Sequence, residues 1–270
     1  MEINGKLQSF GNMLRHEGEF SCHVHGRWTG YWFFDRDTDE PIGEPVCPKC
    51  SNEEEKRRRE EDAIAVRSHE VDRRIGMAGV PDVSSKCRLS NYIADTPEKQ
   101  RKLESVNNFV EKIMPSTLVM FGTTGSGKTH LAVGALAGYL EKSIGNGTEG
   151  TAKYTKASEL LRDFKSAMNA KRGGITENQI MHEYQMYDFL IIDETNRFNA
   201  GEYNTGIIQE IISSRLESDR KTILIFNGSF DGIVEYVGEH NMSRLKMCGR
   251  SISFDEPDWR ATHRRTDNDG

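Results

Sequence analysis

At 270 residues, with 36% hydrophobic and 29% charged side chains and a formal net charge of -6, the chain has apolar material for one sizeable core and a polar remainder. The negative balance excludes a generally basic nucleic-acid coat, while leaving room for a local basic groove. No apolar run approaches the roughly 18 residues of a membrane span, and Met1-Glu2-Ile3-Asn4-Gly5 opens no signal-peptide core. The expectation is a cytoplasmic protein with no membrane contact, whose five cysteines stay reduced and act as metal ligands or spare thiols.

In chain order, residues 1–20 are short and mixed, with a set of helical turns expected around Leu7, Phe10 and Leu14. Cys22-x-x-His25 and Cys47-x-x-Cys50 then form the two knuckles of a small zinc ribbon. Two ligands separated by two residues can bite one tetrahedral ion from a tight turn, and four ligands close the site, so the metal is structural. His23, one residue from Cys22, is too close for the usual knuckle. Trp28, Tyr31, Trp32, Phe33 and Phe34 supply apolar filling for so small a module, and an exposed subset offers a partner or base-stacking surface.

Residues 53–75 are charge-dense, with Glu54/Arg58 and Glu55/Arg59 at i,i+4 and a sparse stripe of Ile64, Val71 and Ile75. This predicts a solvated linker helix, in which flanking acids neutralise Lys56 to Arg59. Gly76 to Pro81 breaks it. A helix is expected from Pro97 to Ile113. Cys87 and Cys248 have no ligand-spaced partner and read as ordinary buried thiols.

From Thr117 the pattern alternates strand and helix, as in α/β proteins. Strand 117–121 runs into Gly122-Thr123-Thr124-Gly125-Ser126-Gly127-Lys128-Thr129, which fits G-x-x-x-x-G-K-[ST]. The glycines let backbone N–H groups turn inward around phosphate oxygens. Lys128 is placed to reach the β- and γ-phosphates, and the Thr129 hydroxyl to ligate Mg²⁺. The helix over 128–142, which opens Lys128-Thr129-His130, points its positive end at the anion. A strand near 152–155 follows, then helices at 157–170 (Leu160, Leu161, Phe164 and Met168 on one face) and 176–184.

Phe189-Leu190-Ile191-Ile192-Asp193-Glu194 is an apolar strand ending in two acids. After a phosphate loop, the first reads as the Mg²⁺-side acid and the second as the general base. Helix 204–217 and strand 222–226 lead to Asn227, a strand-tip polar residue able to orient water against the γ-phosphate. Helix 232–237 and strand 251–254 close the domain. Lys165, Lys171 and Arg172 are the clustered basic residues of this region, read as a solvated helix end or a DNA contact.

Gly122 to Ala132, the Leu-Ile-Ile-Asp-Glu strand and Asn227 resemble the AAA+ ATPases of the DnaC/IstB group. Gly238-Glu239 with Met242-Ser243-Arg244, the Trp259-Arg260 pair and the short C-terminal remainder are similar to its DnaC-like helicase-loader branch. The resemblance implies a P-loop three-layer parallel α/β sheet without a C-terminal lid, over residues 85–261. A zinc-ribbon-like module (1–52) and a charged helical linker (53–84) precede it, and a disordered tail (262–270) follows.

It implies weak, assembly-dependent ATP hydrolysis, with ATP/ADP, Mg²⁺ and Zn²⁺ as cofactors. The implied partners are a hexameric, DnaB-like replicative helicase, single-stranded DNA and further copies of the chain. By position, residues 122–130 and Arg260 hold nucleotide, Thr129 and Asp193 the Mg²⁺, Glu194 the water, and Asn227 the first sensor. The family commonly carries Gly-Glu-Arg where this chain has Gly238-Glu239-His240. Histidine is a shorter substitute without a fixed charge, so the cation supplied to a neighbour's ATP falls to His240 or Arg244. Two other functions fit these motifs: an IstB-like transposition helper, and a nucleotide-switched adaptor between single-stranded DNA and a protein.

Overall fold

The computed structural model describes residues 8–10, 13–111, 115–168, 174–195 and 201–256. The expectations for Leu7, Ile113, Lys171, Arg172, Trp259, Arg260 and the 262–270 tail lie outside these residues, as does the absence of a lid after Glu256. The chain divides into two compact units, Met1–Val66 and Arg67–Gly270.

The first unit is an antiparallel sheet of β1 (Gln8–Phe10), β2 (Met13–Cys22) and β3 (Gly26–Asp35). This replaces the helical turns expected around Phe10 and Leu14. The governing period is two: Leu14, His16, Gly18, Phe20 and Cys22 share one face of β2. They pair with Phe34, Trp32, Gly30, Trp28 and Gly26. Phe20, Trp28, Trp32 and Phe34 pack against one another on that face, with centroids 5.0 Å apart for Phe20–Trp28 and 5.4 Å for Trp32–Phe34.

The aromatic filling is therefore split. Trp28, Trp32 and Phe34 are half-buried, while Tyr31 and Phe33 are exposed on the opposite face. Trp28 lies across Gly30 so closely that a Cβ there would stand 2.0 Å from the ring. Any larger residue at Gly30 would displace the indole.

Helix α1 (Pro48–Met77) begins earlier than expected, with Pro48 at its first turn, where no N–H is needed. Most of its surface to Ser68 is exposed, and the stripe does not include Ile64, which is 69% exposed. Arg59 pairs with Glu55 at 2.5 Å as predicted, whereas Glu54 meets Arg57 at 3.8 Å. Exposed pairs of this kind stabilise a helix by only about 0.3–0.5 kcal/mol each. Val71 and Ile75, in the second unit, are fully buried.

The second unit is a three-layer α/β/α fold. Its strands are β4 (Thr117–Gly122), β5 (Ala152–Lys156), β6 (Phe189–Asp193), β7 (Lys221–Asn227) and β8 (Gly249–Phe254). They form one parallel sheet in the order β5-β6-β7-β4-β8. Both faces are covered, which is why β6 is apolar and buried along its whole length.

On one face, Leu118, Met120, Ile191 and Ile223 pack with the end of α1, with α2 (Pro97–Glu111) and with α3 (Lys128–Gly145). On the other, Val119, Leu190, Ile192 and Leu224 pack against α4 (Ala157–Met168), α5 (Glu177–Met186), α6 (Glu202–Glu217), α7 (Ile233–Val237) and α8 (Glu239–Cys248). Met168, expected on the inner face of α4, is 59% exposed. Cys87 is half-buried against the first cluster.

Helix α8 has no counterpart among the expected elements. Its buried Asn241 anchors it by donating to Gln209 O at 2.9 Å and Val237 O at 3.0 Å. Among the described residues no helix is long and apolar enough to cross a membrane.

Candidate nucleotide site and metal knuckles

The C-terminal ends of β4, β6 and β7 lie side by side, where open parallel sheets bind ligands. Gly122 pairs with Asn227, and Gly228 donates its N–H to Gly122 O at 3.1 Å. Gly122 is obligatory: its φ is +128°, and a Cβ there would sit 2.1 Å from Phe254 O. Gly127, at φ +95°, ends the loop in the left-handed region as the N-cap of α3, under the Tyr92 ring. Lys128 is buried, and its amine folds back on the loop, donating to Gly122 O at 3.1 Å and Thr123 O at 2.5 Å. Ser126 Oγ donates to Thr123 O at 2.6 Å. The loop is thus preshaped by its own side chains, and Thr123, Thr124 and Gly125 form its outer rim. Thr123 ties that rim to the end of β8 by donating its N–H to Phe254 O at 2.9 Å and its hydroxyl to Glu256 O at 2.5 Å.

Asp193 ends β6 opposite α3. Its Oδ2 accepts from Thr129 Oγ1 at 3.2 Å, joining the last residue of the phosphate loop to the strand-end acid. The same oxygen accepts from Tyr154 OH at 2.6 Å, and Oδ1 accepts the Glu194 N–H at 2.7 Å. Burial pushes the Tyr154 phenol far above its ordinary value, with Asp193 adding to the shift, so it remains a proton donor. Glu194 takes φ +52°, unusual for a residue with a side chain, and so leaves the strand line as it follows Asp193. Its Oε1 lies 3.5 Å from Lys156 Nζ.

His130 is turned toward the loop before α2. Its Nε2 is 3.1 Å from Arg88 O and 2.9 Å from Asn91 Oδ1. Both neighbours are acceptors, so this nitrogen carries the hydrogen. Arg88 in turn pairs with Asp72 on α1. His240 is exposed on α8, and Arg244, one turn on, donates to Glu217 Oε1 at 2.6 Å. Lys165 is on α4, and Arg260 lies outside the described residues. Tyr92, Tyr154 and Lys156 were missed from the sequence, because no motif marks a contact made from another strand or loop.

In the first unit, Cys22 and His25 flank the β2–β3 turn, Cys47 precedes α1, and Cys50 lies in its first turn. Their ligand atoms all lie within 4.8 Å of one another. Cys22 Sγ is 3.6 Å from Cys50 Sγ and 3.9 Å from His25 Nδ1, and Cys47 Sγ is 3.8 Å from His25 Nδ1. Tetrahedral zinc with Zn–S near 2.3 Å puts sulfurs about 3.8 Å apart. The donor set therefore fits a closed, sulfur-rich zinc site. His25 Nε2 faces Glu53 Oε1 at 3.3 Å, the outer carboxylate that orients a metal-binding imidazole. The His25 backbone amide draws the Cys22 thiol down to about 6, whereas Cys50, hydrogen-bonded to Cys22, is pushed up to about 11.

The sequence pattern of the IstB-like ATP binding protein family matches residues 57–246. Among curated proteins, the chain is 25% identical over 187 residues to the replicative helicase loader DnaC of Buchnera aphidicola subsp. Acyrthosiphon pisum (strain APS), covering 67% of this chain and 72% of that one. It is 24% identical over 188 residues to the DnaC of Escherichia coli (strain K12), covering 69% and 73%. The crystal structure of a DnaC helicase loader superposes with a TM-score of 0.55 and 20% identity, over 65% of this chain and 100% of that one. The second unit thus has the AAA+ P-loop fold that these relatives share.

Proposed function

The chain belongs to the IstB-like ATP-binding proteins, and on that footing we propose that it is an ATP-dependent loader delivering a hexameric replicative helicase to single-stranded DNA. The observation that carries the ATP half is the Thr129–Asp193 contact, which brings the phosphate loop and a strand-end acid within 3.2 Å. The helicase half is supported by the likeness to proteins named replicative helicase loaders.

In this reading, Lys128 leaves its loop carbonyls for the β- and γ-phosphates, while the N–H groups of residues 122–129 wrap the phosphate oxygens. Thr129 and Asp193 hold Mg²⁺, which when bound neutralises phosphate charge. Glu194 takes the proton of the attacking water, and Asn227, beside Gly122 at the strand tips, orients that water. His130 fastens α3 to the 88–91 segment, so its contribution to nucleotide binding comes through the loop it steadies. Side-by-side copies supply Arg244 or His240 to a neighbour's nucleotide, and Arg260 completes the sensor set.

Residues 1–52, held by Zn²⁺ on Cys22, His25, Cys47 and Cys50, and the exposed part of the linker, residues 53–66, form the helicase grip, while residues 67–84 belong to the second unit and its core. The ATPase domain over 85–261 engages single-stranded DNA. The experiment is affinity capture of the cognate replicative helicase on the immobilised full chain, with and without ATP and single-stranded DNA. A nucleotide-dependent complex supports the reading; a chain that retains no helicase under any of these conditions contradicts it.

A further inference from the structure

We propose that Tyr154 is a positioning residue for the Mg²⁺-side carboxylate: its hydroxyl sets the orientation in which Asp193 receives the cation beside Thr129. The proposal rests on the reading of the phosphate site given above. A strand-end carboxylate can rotate about two side-chain torsions unless its oxygens are held. Here Oδ1 accepts the Glu194 N–H at 2.7 Å, and Oδ2 accepts Tyr154 OH at 2.6 Å and Thr129 Oγ1 at 3.2 Å. Of these three donors, Glu194 is the chain neighbour and Thr129 is itself the candidate metal ligand. Tyr154 is the donor brought in from another strand with no other task at the site.

Its own position is firmly set. The ring is 4% exposed and belongs to the core cluster beneath α3. On one side β5 pairs with β6 in the register Tyr154↔Ile191 and Lys156↔Asp193. On the other side the Tyr154 N–H donates to Ala78 O at 2.8 Å, just past the end of α1. The chain passes so close there that a Cβ on Gly79 would lie 3.3 Å from Tyr154 O. A hydroxyl carried by a strand held on both edges is a fixed donor, and outer partners of this kind typically affect metal affinity by about 10–100-fold.

The test is Tyr154→Phe in the full chain, which keeps the ring and removes only the hydroxyl. Binding of a fluorescent ATP analogue is titrated against Mg²⁺ and repeated in EDTA, with circular dichroism and thermal melting alongside. Asp193→Asn serves as the comparison. Tyr154→Phe is expected to keep the fold and to bind the analogue in EDTA within about two-fold of the unaltered chain. Its Mg²⁺ midpoint should rise by about ten-fold. A filling role in the core, which the phenylalanine ring would keep, would leave both the melting temperature and that midpoint in place. An unchanged midpoint in Tyr154→Phe, with a displaced one in Asp193→Asn, overturns the proposal while sparing the site. An unchanged midpoint in both variants removes Asp193 from the metal site and the role of Tyr154 with it.

Discussion

Lys156 Nζ stands 3.5 Å from Glu194 Oε1, across the tips of adjacent strands. The carboxylate assigned to water activation is thereby held by a cation on the strand next to its own. Both side chains are about a third exposed, at 37% and 28%, so solvent screens the pair and it is worth only about 0.2–1 kcal/mol. Replacing Lys156 with alanine should free Glu194 to swing toward the nucleotide. Basal ATP turnover is expected to rise about two- to five-fold, with nucleotide affinity unchanged. Glu194→Gln should bind ATP normally and lose about 100-fold or more in turnover. Single-turnover hydrolysis measured beside equilibrium binding separates the two effects. Equal turnover in Glu194→Gln removes that residue from the role of base.

A second ion pair bears on assembly. Arg244 Nη1 lies 2.6 Å from Glu217 Oε1, and this contact holds the Glu217 carboxyl below its ordinary range. An arginine engaged within its own subunit must exchange that partner before it can meet a neighbour's phosphate. Arg244→Ala is expected to lower turnover by at least about 10-fold, and only at protein concentrations where copies associate. Glu217→Ala should raise turnover at those same concentrations. The concentration dependence of ATPase rate reads both. A loss in Arg244→Ala that is the same at every concentration would contradict a trans-acting role.

The buried guanidinium of Arg215 predicts a stability effect without a functional one. It is fully buried and donates to Tyr184 O, Tyr187 O and Lys221 O at 3.0, 2.6 and 2.7 Å, with Nε on Thr222 Oγ1 at 2.9 Å. It closes the C-terminal end of α5, whose last carbonyls have no helical partner. Arg215→Ala strands those acceptors and leaves a cavity, so a loss of at least about 3 kcal/mol is expected in urea unfolding. Arg215→Lys should recover little of it, because an ammonium cannot span the same fork of acceptors.

Much of the second unit was legible in the sequence. Gly122–Thr129 carries its conformation in its glycines, and a strand covered on both faces must be apolar throughout, as Phe189–Asp193 is. The first sheet was not. In Met13–Cys22 the inward positions hold Leu14, His16, Gly18 and Phe20, too mixed to show period two until Phe34, Trp32 and Trp28 stand opposite them. Tyr154 and Lys156 escaped for a different reason. Nothing local in Ala-Lys-Tyr-Thr-Lys distinguishes an edge strand from one that reaches an acid on the next. Helix α8 was hidden by Gly238-Glu239-His240-Asn241, which reads as a loop until Asn241 is seen holding α6.

The knuckle residues predict one zinc per chain by metal analysis. Sustained treatment with a strong chelator, or Cys47→Ser, should unfold the first unit, because the half-buried Phe20, Trp28, Trp32 and Phe34 supply little core without the metal. Tryptophan emission should shift to the red, since Trp28 and Trp32 both lie on β3. ATP binding by the second unit is expected to persist. A metal-free chain with the native emission spectrum would refute the site.

The most direct measurement of the central claim is transfer of the cognate hexameric helicase onto closed circular single-stranded DNA, comparing the unaltered chain with Lys128→Ala. Helicase should appear on the circles only when the unaltered chain and ATP are both present, and Lys128→Ala should leave the circles bare. Equal loading by Lys128→Ala, or equal loading without the chain, would contradict it.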